Sequence, residues 1–163
     1  MPGAEATRGQ GDPFDLARFT SVQEAVYGHA LAEIRSGDKR SHWMWFIFPQ
    51  IDGLGFSSTA KRYAITCAEE ARQYLAHPVL GARLVACAAA VLAVEGRSAP
   101  VIFGSPDDLK LKSCMTLFES VAGPGSVFGQ VLDSYYQGKR DTRTHEILAA
   151  MKEREDRAKP GSH

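Results

Sequence analysis

Two stretches of this chain hold side chains that could do chemistry. The first, SHWMWFIFPQ at 41–50, contains both tryptophans, Trp43 and Trp45, beside Phe46 and Phe48. His42 precedes the rings, Gln50 follows them, and Gly53 and Gly55 come shortly after. Apolar rings with a few fixed polar groups are the usual lining of a small-ligand site. Glycines beside such a lining let backbone amides approach an anion. The second stretch, FGSPDDLKLKSCMTLFE at 103–119, places Asp107, Lys110, Ser113 and Thr116 at three-residue steps. On a helix these lie along one strip, away from the apolar stripe of Leu111, Cys114, Met115 and Phe118.

The chemistry these residues would support is acid–base work on a charged small molecule. His42 or Asp107 would serve as acid or base, and Lys110 would neutralise charge. Trp43, Trp45, Gln50, Gly53, Gly55, Tyr63, Ser113 and Thr116 are the candidate ligand-binding residues. Each group also has a plainer reading. The rings would be core, and the strip a solvated helix face whose aspartates serve the helix dipole. Ser and Thr are mediocre choices for an exposed helix interior, however, and a half-buried Lys110 would demand a partner. The two stretches are therefore expected to meet in space.

Other chemistries find no support. The histidines at 29, 42, 77, 145 and 163 show no ligand spacing, and the three cysteines form no C-x-x-C pair, so no metal or cofactor is expected. No G-x-S-x-G nucleophile elbow occurs. Cys67, Cys87 and Cys114 sit among apolar neighbours and read as buried free thiols of a reducing compartment. Nineteen basic residues balance nineteen acidic ones, which argues against general nucleic-acid binding. Arg35, Lys39 and Arg40 read as a solvated basic turn. No apolar run reaches the ~20 residues of a membrane span, and the N-terminus lacks a charged-then-apolar signal, so a cytoplasmic protein is expected.

The elements that must position these groups are helices. The expected fold is all-α: a single compact multi-helix domain over 12–157 with orthogonal-type helix packing. A disordered lead at 1–11 and a flexible tail at 158–163 flank it. Asp12, Pro13 and Asp15 mark a short first helix, and Ser21 with Glu24 a capping box for the next, closed by Gly37. Thr66 and Glu69 open a helix to about Ala76, and His77-Pro78 separates it from one stopped by Gly96. Ser98 to Phe103 reads as a single turn. Ser105, Pro106 and Asp108 start a helix to about 122. GPGS at 123–126 is a turn before a helix stopped by Gly138, and Asp141 or Thr142 caps the last. Only Trp43–Phe48 is a candidate strand, since periodicity cannot assign so short an apolar run.

The same stretches carry a resemblance. SHWMWFIFPQ with GLG, then KRYAI, AHPVLGARL, VEGRSA, IFGSPDDLKLKSCMTLFE and the Phe-x-x-Val-Leu-Asp-x-Tyr run at 128–135 resemble a small bacterial family of unknown function, commonly mislabelled "calpastatin". The resemblance covers about 12–150. It implies a compact all-α domain and no established activity. Cys114 stands where Ser is common in the family. At the level of size, helix content and an aromatic-polar pocket, the family is also similar to helical domains that act on ADP-ribose derivatives.

Three classes of function stay open. One is an enzyme or sensor acting on a nucleotide or ADP-ribose derivative. Another is a non-catalytic module holding a metabolite or peptide in the same pocket. The last is a structural or oligomerising protein with the rings in an interface.

Overall fold

Capped and proline-punctuated sequence of this kind folds as helices, and the computed structural model shows them over residues 11–158, the part of the chain described. Nine helices are present among them. They are α1 (Ala17–Ser36), α2 (Met44–Ile47), α3 (Ser58–Arg62), α4 (Ala68–Ala76), α5 (Leu80–Ala93), α6 (Ala99–Phe103), α7 (Asp107–Ala122), α8 (Val127–Tyr135) and α9 (Thr142–Ala158). The expected lead and tail lie outside the described residues, apart from Gly11 and Ala158 at their inner edges.

Two helices organise the rest. α5 packs against α1, α4 and α8, and α7 packs against α4, α6, α8 and α9. α4 and α5 meet at 89° across the His77–Pro78 break. His77 turns that corner by accepting hydrogen bonds at Nδ1 from the amides of Val79 and Leu80. Between these layers lies a continuous core that includes Phe19, Ile34, Phe48, Tyr74, Phe118 and Phe128, all fully buried. Cys87 and Cys114 belong to it, and burial pushes the Cys87 thiol up to about 12. Cys67 departs from expectation, being only half-buried.

Several expected boundaries move, each for a local reason. Ser21 does not start a helix, because it lies in the interior of the 20-residue α1. The expected short helix opened by Asp12 does not form either: residues 12–16 make turns, Leu16 stands at the start of α1, and the Asp12 carboxylate accepts from the amides of Leu16 and Ala17 at 2.6 and 3.0 Å. At α4 the acid that pairs with Thr66 is Glu70 rather than Glu69, accepting from both its amide and its hydroxyl at 2.8 Å. Ser105 provides no side-chain cap to α7, which begins after Pro106. The run at 43–48 forms a single helical turn rather than a strand, and the chain beyond it makes one parallel bridge, Ile51 to Ile65. α3 is unforeseen. Ser57 starts it by accepting from the amide of Ala60.

No single helix among the described residues is long and apolar enough to cross a membrane.

Candidate functional site

Gly37 ends α1 in the left-handed conformation, φ 73°, and turns the chain back along the helix it has just left. Residues 40–43 are thereby laid against Glu33. Its carboxylate accepts four hydrogen bonds: from the amides of Arg40 and Ser41, the Ser41 hydroxyl and the Trp43 indole, at 2.6–3.1 Å. Burial opposes the charge, but the donors of Ser41, Arg40 and Trp43 outweigh it and hold the carboxyl down at about 2. Glu33 thus fixes Trp43 in the core, and with it the start of the aromatic turn.

From that anchored turn Trp43 and Trp45 take different paths. Trp43 is buried, with Phe48 and Phe103 around its ring. Trp45 is half-buried and faces α7. The ammonium of Lys110 sits 3.9 Å above the Trp45 ring centroid and 3.1 Å from Asp107 Oδ1. The other oxygen of Asp107 takes the ammonium of Lys39 at 2.8 Å, and Lys39 in turn lies 5.0 Å from the Trp43 ring centroid. One carboxylate therefore joins two cations, each of which covers one tryptophan. The two stretches singled out in the sequence do meet, through these contacts.

Burial differs along this chain of charges. The Lys39 side chain is 6% exposed, against 21% for Lys110 and 20% for Asp107. Lys39 also donates to the Ser41 carbonyl at 2.7 Å, so it is no solvated basic turn but an enclosed ion-pair partner. Arg40, beside it, is exposed and pairs with Asp38. Burial raises the cost of charge on Asp107, yet hydrogen bonds from Lys39 and Lys110 prevail and keep its carboxyl below the usual range. Asp107 is thus held as an anion. A Lys ammonium has three donors. Lys110 gives one to Asp107, and the ion keeps capacity for an outside acceptor.

Trp45 also borders a small cavity of about 10 Å³, lined by Gln50, Gly53, Gly55 and Tyr63 among others. That is room for about one water, far below the roughly 300–1,000 Å³ of an enclosed ligand pocket. A larger ligand would rest on this rim rather than inside it. Gly55 is required by close packing, since a Cβ there would stand 2.6 Å from the Ala60 Cβ. Gly53 has φ 108°, a conformation that favours glycine. The amides of Gly53 and Gly55 donate to no acceptor among the described residues, which leaves two N–H groups beside the Trp45 rim.

The remaining candidates are placed elsewhere or used otherwise. His42 is exposed and makes no hydrogen bond with the described residues. Ser113 is buried and donates back to the Leu109 carbonyl. Thr116 is fully buried; its hydroxyl donates to the Lys112 carbonyl and accepts from the Asp141 amide at 2.9 Å, which ties α7 to the start of α9. Both hydroxyls thus serve the helix packing. Among the described residues no group of three or more His, Cys, Asp or Glu side chains is placed to hold a metal ion.

Sequence reasoning missed Glu33 and Lys39. Neither belongs to a motif. The available signal was Gly37, a helix stop that must return residues 39–43 past the helix's last two turns.

This fold, with an aromatic turn clamped to the first turn of a long helix, defines an all-α single-domain protein in which two lysines, one aspartate and two tryptophans form one partly buried cluster. The chain belongs to the DUF1810 family, described as proteins of unknown function, whose family model matches residues 13–148. It is similar to the conserved hypothetical protein Rv1873 from Mycobacterium tuberculosis, whose crystal structure is known at 1.38 Å. The two share 51% sequence identity with a TM-score of 0.83, over 85% of this chain and 99% of the other. No curated protein matches the chain.

Proposed function

We propose that the Trp45–Lys110 corner binds a small anion bearing a flat ring, with nucleotide and ADP-ribose derivatives as the ligand class. The observation that carries this reading is the Lys110 ammonium, 3.9 Å over a half-buried Trp45 and only partly neutralised by Asp107. Asp107 divides its charge between Lys110 and the enclosed Lys39, so it neutralises Lys110 incompletely. With Lys110 over one face of Trp45, the ligand's ring would pack edge-on against the half-buried indole. The free amides of Gly53 and Gly55 supply further donors for phosphate oxygens.

Binding without turnover is the favoured form of this reading. A general acid must carry a proton near neutral pH, and Asp107 is held ionised. A general base is oriented by a neighbour, and His42 has no hydrogen-bonded neighbour among the described residues. The expected location is the cytoplasm, where such ligands are abundant.

The test is a thermal-shift screen of wild type, Trp45→Leu and Lys110→Ala against nucleotides and ADP-ribose, with product analysis of the wild-type mixtures. Stabilisation of wild type that both substitutions abolish supports the site. Product formation would convert the binder into an enzyme. No stabilisation by any member of the panel would remove the ligand class.

A further inference from the structure

The Trp45 rim does not end at Tyr63. Tyr63 lines both the small cavity and an open cleft of about 430 Å³, whose lining includes Asp15, Arg18, Ser21 and Arg62. Tyr63 is held from both directions. Its ring packs against Phe46 at 4.9 Å and Phe19 at 5.7 Å between centroids. Its backbone is fixed by Arg18, which donates to the carbonyls of Arg62 and Ala64 at 2.8 Å each.

Arg18 itself has nothing left to offer a ligand. Its five N–H groups go to the carbonyls of Phe14, Asp15, Arg62 and Ala64 and to the carboxylate of Glu70. Arg62 is the opposite case. It is exposed, its guanidinium lies 5.5 Å from the Tyr63 ring centroid, and it has no carboxylate partner among the described residues. Lys61, next to it in the last turn of α3, is likewise exposed and unpaired there. A guanidinium stacked on a tyrosine presents its edge donors outward in a fork that suits phosphate.

We infer that Arg62, supported by Lys61, forms a second anion seat of the Trp45 site, reached across Tyr63. The preferred ligand then carries two separated anionic groups on one ring-bearing core, one for Lys110 and one for Arg62. This rests on the reading of the Trp45–Lys110 corner given above.

The experiment is calorimetric titration with adenosine 5′-monophosphate and adenosine 3′,5′-bisphosphate on wild type, Arg62→Gln and Lys110→Ala. The bisphosphate should bind wild type roughly tenfold more tightly, the equivalent of one charge-assisted hydrogen bond at an exposed seat. Arg62→Gln should erase that preference and leave monophosphate affinity unchanged, while Lys110→Ala should weaken both ligands. Equal affinity of wild type for the two ligands, or a preference that survives Arg62→Gln, would overturn the second seat and leave the first standing. Absence of binding by either ligand would overturn both.

Discussion

Glu33→Gln probes the anchor on which the site is built. The substitution keeps shape but removes the charge that gathers the Arg40 and Ser41 amides, the Ser41 hydroxyl and the Trp43 indole. A carboxyl held at about 2 instead of its ordinary 4.5 corresponds to at most about 3 kcal/mol at neutral pH. Glu33 is half-exposed, and solvent screening reduces that to about 1–2 kcal/mol. The sign follows from the depressed pKa. The contribution is complete above about 4.5, half lost near pH 3.2, and gone once pH falls through about 2. Urea unfolding of wild type and variant between pH 7 and pH 3 measures this directly. Wild type should be the more stable at pH 7, with the gap narrowing steadily below pH 4.5. A gap that stays constant over that range would refute the electrostatic account. No destabilisation at pH 7 would refute the anchor itself.

Three further outcomes follow from burial and partners. Lys39→Ala should lower stability by about 1–3 kcal/mol, since it exposes Asp107 and leaves the buried Trp43 uncovered, whereas Lys110→Ala should cost less than about 1 kcal/mol while abolishing ligand stabilisation; chemical denaturation with parallel ligand titration distinguishes them. Arg18→Ala strands the Glu70 carboxylate, 1% exposed, and should cost about 3–5 kcal/mol by the same denaturation measurement, so a loss under 1 kcal/mol would contradict the assigned pairing. Gly81→Ala should prevent stable folding, because a Cβ there would stand 2.0 Å from the Leu75 carbonyl oxygen, a backbone atom that cannot move aside; a cooperative melt near the wild-type temperature would overturn that packing.

The helices were legible where their ends carry chemistry. The Gly37 stop after α1, the start of α6 at Ser98 and the Asp141 cap of α9 all act through neighbours in sequence, which a reader of sequence can see. Ser21 misled because Ser and Glu three residues apart also occur inside a helix, and α1 already begins at Ala17, where Asp12 takes up the amides of Leu16 and Ala17. The site was half legible. Trp45, Asp107 and Lys110 stood out by type and spacing, and Gln50, Gly53, Gly55 and Tyr63 border one cavity. Glu33 and Lys39 did not stand out, because their partners come from a chain reversal that composition does not encode. Ser113 and Thr116 look like site residues in sequence, but their hydroxyls return to the helix carbonyls four residues earlier.

The two tryptophans provide the most direct measurement of the central claim. Trp43 is buried with its indole N–H bonded to Glu33, while Trp45 is half-buried beneath Lys110. Titration of ¹⁵N-labelled protein with adenosine 5′-monophosphate, followed at the indole N–H resonances, gives each ring its own signal. The expected result is a saturable shift at Trp45 that Lys110→Ala abolishes, with Trp43 nearly unmoved. No shift at Trp45, or equal shifts at both rings, would contradict a binding site at this corner.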